Sequence, residues 1–339
     1  MQSLKRLFLL GALLLSTLTA SARSEWLNLA IEARAEYQHA TLDGESLPDD
    51  SGFRGRNFNL KLLGDLGGGF SYGFRHRLNK MHRDARFFDA TDWLYLTYTT
   101  PNDRWAFSAG KQVVQVGGYE YDLAPIDGYF SSEYCTNFPC YQWGASVTYA
   151  LENGRDAFTF QVTESPFCTQ EELYAYNLYW SGGHEWFEAL YSVNAIEWAA
   201  GEYIYYIALG NRLKFRGVTF EFDLTNRATK EHPFLLQNYT LMGQATIDLG
   251  RSVRLLAKAS HDVNSTASAG AMCVVPGTEL TRVGGIVEYY PIKEKRSVRL
   301  HAAYHYTFGE TDERNTLRDG FSVVNVGLTW HINLLSLAK

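Results

Sequence analysis

After residue 22 the 339-residue sequence offers no run of 18 consecutive apolar residues, which excludes a membrane-crossing helix there. Lysine and arginine are absent from Gln112 through Gly154, and the formal charge is −6, so nucleic acid finds no basic surface and is not expected as a partner. Cysteine is scarce: Cys135, Cys140, Cys168 and Cys273 are the four, none set among the histidines and carboxylates of a zinc site. His301 and His305 share one strand face without such neighbours, so neither metal nor cofactor is expected. Ser260 and His261, adjacent in a strand, point to opposite faces and cannot pair as nucleophile and base. Gly67-Gly68-Gly69 precedes no helix and is a turn, not a phosphate cradle. A catalytic set is missing, and no enzymatic activity is expected.

What is present is aromatic and alternating. The chain is 15% aromatic and 46% hydrophobic, yet its mean hydropathy is negative, because apolar residues alternate with polar ones in segments of about ten, the signature of transmembrane strands. Lys5 and Arg6, the apolar run from Leu7, and Ala20-Ser21-Ala22 form the pattern of a secretory signal peptide over residues 1–22. Cleavage leaves 23–339 as one domain, with a formal charge of −8 once Lys5 and Arg6 are gone.

From Trp26, Leu27, Leu29, Ile31, Ala33, Ala35 and Tyr37 alternate with polar residues, and the pattern recurs to the end. The reading includes Trp105–Gln115, Tyr141–Ala150, Ala157–Glu164, Leu173–Trp180, Glu185–Ala195 and Glu202–Leu209. A turn at Gly210-Asn211 leads to Leu213–Thr225, and the last strand is Gly320–Asn333, with Leu334 to Lys339 as a tail. Sixteen strands with eight longer loops on one side and seven tight turns on the other predict an all-β antiparallel barrel in a bacterial outer membrane, wide enough for an aqueous lumen. Lipid and lipopolysaccharide would surround it. Because hydrocarbon cannot satisfy an open strand edge, the last strand should pair with the first.

One connection stands apart. Val116 to Cys140, the third long loop, holds Glu120, Asp122, Asp127 and Glu133 with no cation, six aromatic residues, and glycines and prolines for turns. It is expected to fold into the lumen and constrict it. Arg34, Lys61, Arg75, Arg77, Arg254, Lys258 and Arg299 fall on the polar faces of their strands and form an expected basic wall opposite. The loop acids, nearest the narrowest point, then predict a weak cation preference. An exported chain favours disulfides, and Cys135 with Cys140 is the expected local pair; Cys168 and Cys273 could form a second.

Gly110-Lys111-Gln112, Gly117-Gly118-Tyr119-Glu120-Tyr121-Asp122 and Pro125-Ile126-Asp127-Gly128-Tyr129 resemble the phosphate-selective porin O and P family. The resemblance implies a homotrimeric, water-filled channel for ions and small polar solutes, narrowed by the third loop. The phosphate-selective members line that point with arginines and lysines, and this loop has none, which fits a general rather than phosphate-specific member. The family's usual aromatic end is also replaced by the tail. Two other classes share some features: a barrel hydrolase in the outer membrane, and a secreted β-sandwich that binds glycans.

Overall fold

The computed structural model describes residues 25–80, 87–167, 172–232, 235–266, 273–292, 294, 296–311 and 319–338. The expected signal peptide and Cys168 lie outside the described residues. The strands are β1 (Glu25–Leu42), β2 (Glu45–Ser46), β3 (Gly52–Gly67), β4 (Phe70–Arg77), β5 (Thr91–Thr99), β6 (Trp105–Val113), β7 (Tyr141–Ala150), β8 (Ala157–Glu164) and β9 (Tyr174–His184). Then come β10 (Phe187–Ala199), β11 (Glu202–Phe215), β12 (Val218–Thr229), β13 (Asn238–Leu249), β14 (Val253–Asn264), β15 (Thr278–Tyr289), β16 (Val298–Glu310) and β17 (Phe321–Ala338). The two-residue β2 extends the first hairpin, leaving sixteen long strands.

Each long strand pairs antiparallel with its sequence neighbour, and β1 pairs with β17 from Glu25↔Ala338 to Leu42↔Phe321, which closes the barrel. Closure satisfies both edges, as hydrocarbon demands. On β17, Val324, Val326 and Ile332 are exposed outward while Asn325 and Thr329 are buried inward, the alternation of a wall with lipid outside and polar groups within. Exposed rings gather at both rims: Trp26, Phe70 and Trp105 at the turn end, Tyr174, Tyr205 and Phe308 at the loop end.

Three local readings need correction. β11 runs through Gly210-Asn211 to Phe215, and the chain turns at Arg216-Gly217, where Gly217 has φ 78°. Gly210 serves a packing need: a Cβ there would stand 2.7 Å from the Cα of Gly118. Likewise β9 continues through Ser181-Gly182-Gly183 to His184 and turns at Glu185-Trp186. The tail does not leave the sheet: Leu335, Ser336 and Leu337 pair with Leu29, Asn28 and Leu27, because β1 begins at Glu25 and its edge would otherwise be bare.

Candidate functional site

The third loop leaves β6 and enters the lumen. Gly117 donates its N–H to Ser192 Oγ on β10 at 2.9 Å, and a Cβ on Gly117 would meet the Leu190 carbonyl at 2.5 Å, so only glycine lets the backbone lie this close to the wall. Gly118, at φ 115°, then turns the chain into a short helix, α1 (Tyr119–Asp122). After the tip a second, α2 (Glu133–Asn137), is capped by Ser132, whose Oγ accepts from Cys135 N. Tyr134 and Phe138 pack with Ile204 and Tyr206 of β11 and with Ala175, Ile196 and Val274 in an apolar cluster between the loop and the inner wall.

The loop lies against the basic wall instead of facing it across open water. Glu120 pairs with Lys258 at 2.7 Å, Asp127 with Arg299 at 2.8 Å and Glu133 with Arg282 at 2.9 Å. Three cations also donate to alternate carbonyls along the tip. Arg34 reaches Gly128 O at 2.5 Å, Lys258 reaches Phe130 O at 2.9 Å, and Arg299 reaches Ile126 O at 3.1 Å. The Tyr129 ring sits under Arg34, whose guanidinium is 4.5 Å from its centroid, and its hydroxyl donates to Glu288 at 2.7 Å. Burial alone would raise the Glu120 carboxyl, but Lys258 and the bonds from Lys258 and Ser132 outweigh it and hold the group below its ordinary value.

Asp122 is the exception among the loop acids. It is exposed to the lumen, and no side-chain partner is found for it among the described residues. Protein crowding around it raises its carboxyl to about 6, with Arg212 opposing and Glu221 adding to the rise.

Of the expected wall cations, Arg34, Lys258 and Arg299 hold the loop, while the others pair within the wall. Lys61 pairs with Glu32 at 2.8 Å and Arg254 with Asp248 at 2.9 Å. Arg75 and Arg77 share Asp92, at 2.9 and 2.7 Å, and Arg75 stacks 4.2 Å over Trp93. Among the described residues no hydrogen bond or ion pair ties residues 116–139 to β3, β4 or β5.

Sequence reasoning missed Arg56, Arg282 and Asp262, and it placed Asp223 only as an acid that offsets the basic wall, with no part in holding the loop. Alternation with Phe58, Leu60 and Leu62 places Arg56 outside, but a bulge between Arg34↔Asn57 and Ala35↔Gly55 adds one residue and turns it inward onto Glu36. Arg282 was hidden because β15 carries apolar residues on both faces: Leu280 and Ile286 are buried inward while Val283 and Val287 are exposed outward. Asp223 and Asp262 accept backbone N–H groups of the loop, contacts that no local pattern announces.

The expected Cys135–Cys140 disulfide is not formed; Cys135, Cys140 and Cys273 are free thiols. α2 turns Cys135 toward Glu120 O, 3.7 Å from its sulfur, and away from a bridge. Burial pushes the Cys135 and Cys140 thiols up, and Cys273 up to about 12, so none is a reactive thiolate in the folded chain. Without reductant, alkylation should therefore spare all three in the folded protein and label them after unfolding. Protection of Cys135 and Cys140 in the unfolded chain would restore the pairing.

The family model described as phosphate-selective porin O and P matches residues 28–186, the segment that carries β1 to β9 and the inserted loop. With the closed barrel of sixteen long strands, this match supports an outer-membrane porin channel. No curated protein sequence matches it. Among solved structures, the porin is similar to the anion-selective porin from Comamonas acidovorans, with a TM-score of 0.65 and 12% identity over 90% of this chain and 99% of that one. It is also similar to OmpT of Vibrio cholerae in its trimer form, with a TM-score of 0.61 and 12% identity over 91% and 100% of the two chains. A variant of the Rh. blastica porin gives a TM-score of 0.58 at 14% identity over 90% and 100%. At such identities the likeness shows the fold, and the porin's charges must be read from its own residues.

Proposed function

We propose that this porin passes ions and small polar solutes through an eyelet between the loop edge at Asp122–Pro125 and the wall of β1 and β3 to β5, with a weak preference for anions. The observation that carries this reading is an unequal pairing. Glu120, Asp127 and Glu133 each have a cation, whereas Glu36 is shared by Arg34 and Arg56, and Asp92 by Arg75 and Arg77. Two positive charges are thus in excess on this wall, against Asp122 on the loop. Arg56 and Arg77 are the exposed members, their side chains 40% and 18% accessible. The sign is opposite to the one the loop's composition predicts, and it agrees with the name of one similar barrel, an anion-selective porin.

The test is the zero-current potential under a salt gradient in a planar bilayer. Arg56→Gln with Arg77→Gln should lower the anion-to-cation permeability ratio by about twofold per charge, the weight of a screened unit charge in water. Asp122→Asn should raise it. The Asp122 carboxyl lies at about 6, so acidifying through that value neutralises it and should strengthen the anion preference, an effect Asp122→Asn removes. A wild-type channel that prefers cations, or one whose potential ignores both arginines, would sink the reading. Assembly as three copies belongs to the same proposal, since one similar barrel is solved as a trimer; a monomeric mass in mild detergent would count against it.

A further inference from the structure

Two wall aspartates make contacts with the loop that its ion pairs alone do not require. Asp223, on β12, accepts from the N–H groups of Tyr119 and Glu120 at 2.9 and 2.7 Å. Asp262, on β14, accepts from those of Glu133 and Tyr134 at 2.9 and 3.4 Å. The arrangement repeats. In each case one loop glutamate is gripped twice: its N–H by a wall aspartate, its carboxylate by a wall cation, Lys258 for Glu120 and Arg282 for Glu133. The grips are also joined, because Ser132 donates its N–H and its hydroxyl to the two Glu120 oxygens, at 2.9 and 2.6 Å. Behind Asp262 stands a further support: Thr240 donates to it at 2.6 Å and in turn accepts from Arg227 at 3.0 Å.

We infer that Asp223 and Asp262 are the positioning residues of the constriction, two clamps that fix the ends of the segment 121–132 and thereby set the channel's cross-section. The inference rests on reading the loop as the constriction. A buried N–H that loses its acceptor keeps the full desolvation penalty, so both clamps favour the docked loop over any displaced one. Aspartate suits the place because each of its oxygens accepts and neither donates; an asparagine would present its own N–H₂ to one of the loop N–H groups. Gly210 belongs to the Asp223 clamp, since a side chain there would strike the Gly118 backbone and lift the loop from its acceptor.

The experiment compares four channels in planar bilayers and in liposome swelling: wild type, Asp223→Asn with Asp262→Asn, Gly210→Ala, and a chain in which Leu123 to Ser131 is replaced by two glycines. Circular dichroism and heat-modifiable migration confirm that each barrel is intact. The clamp variant should spend on the order of tenfold more time per clamp in a noisy, higher-conductance state, and should admit larger sugars. Gly210→Ala should do the same while keeping both aspartates, and it decides the matter if the double variant fails to fold. If the deletion widens the channel while intact clamp variants behave as wild type, the clamps are overturned and the constriction stands. If the deletion itself changes neither conductance nor size limit, the loop is not the constriction and both readings fall.

Discussion

Removing Trp330 to Lys339 should abolish the heat-modifiable barrel, leaving protein that migrates alike boiled and unboiled. These residues pair with β1 from Glu25 to Ala33, the whole turn-side end of the seam. Without them the backbone groups of β1 on that side would face hydrocarbon unpaired, each at a cost of several kcal/mol. Truncating only Lys339, which lies outside the described residues, should leave the barrel intact. A ten-residue truncation that still shifts on heating would show that the tail is dispensable to closure.

Replacing Lys258 by leucine should release the loop from the wall. Lys258 and Glu120 have side chains only 4% and 5% exposed, so the substitution strands a buried carboxylate. Losing one partner of such a pair costs about 3–5 kcal/mol, and Lys258 also holds Phe130 O. Ser132 still bonds Glu120 and relieves part of the cost. Two measurements should move together: channel conductance rises, and Cys135, shielded in the docked loop, becomes open to alkylation in the folded protein. Glu120→Gln should do less, because the amide oxygen still accepts from Ser132 and Lys258 keeps its bond to Phe130 O. Unchanged conductance and an unlabelled Cys135 in the leucine variant would show that the loop is held without this pair.

The period-two alternation made the sixteen strands and the closure legible, since lipid on one side and water on the other act on every strand alike. It also placed the seven wall cations on the lumen face. It failed where one extra residue changes parity, as at Arg56, and where a glycine has a packing role, as at Gly210, because neither a bulge nor a close backbone approach leaves a mark in composition. The loop was legible as an acidic insertion into the lumen. Its charge was not legible as spent, because the cations that neutralise Glu120, Asp127 and Glu133 enter the chain more than a hundred residues later. The disulfide expectation came from compartment and spacing, and the helix over Glu133–Asn137 overrules it locally.

That separation has a consequence for the order of assembly. The bond from Arg299 to Ile126 spans 173 residues, and Ser192, Asp223, Lys258 and Arg282 all follow the loop in the chain. Contacts so distant in sequence form late. Until the strands carrying Lys258, Arg282 and Arg299 arrive, Glu120, Glu133 and Asp127 lack their cations; when the seam closes, the seats are complete and three of the loop's four acids are paired. The loop thus registers, by its own neutralisation, that the chain around it has been finished.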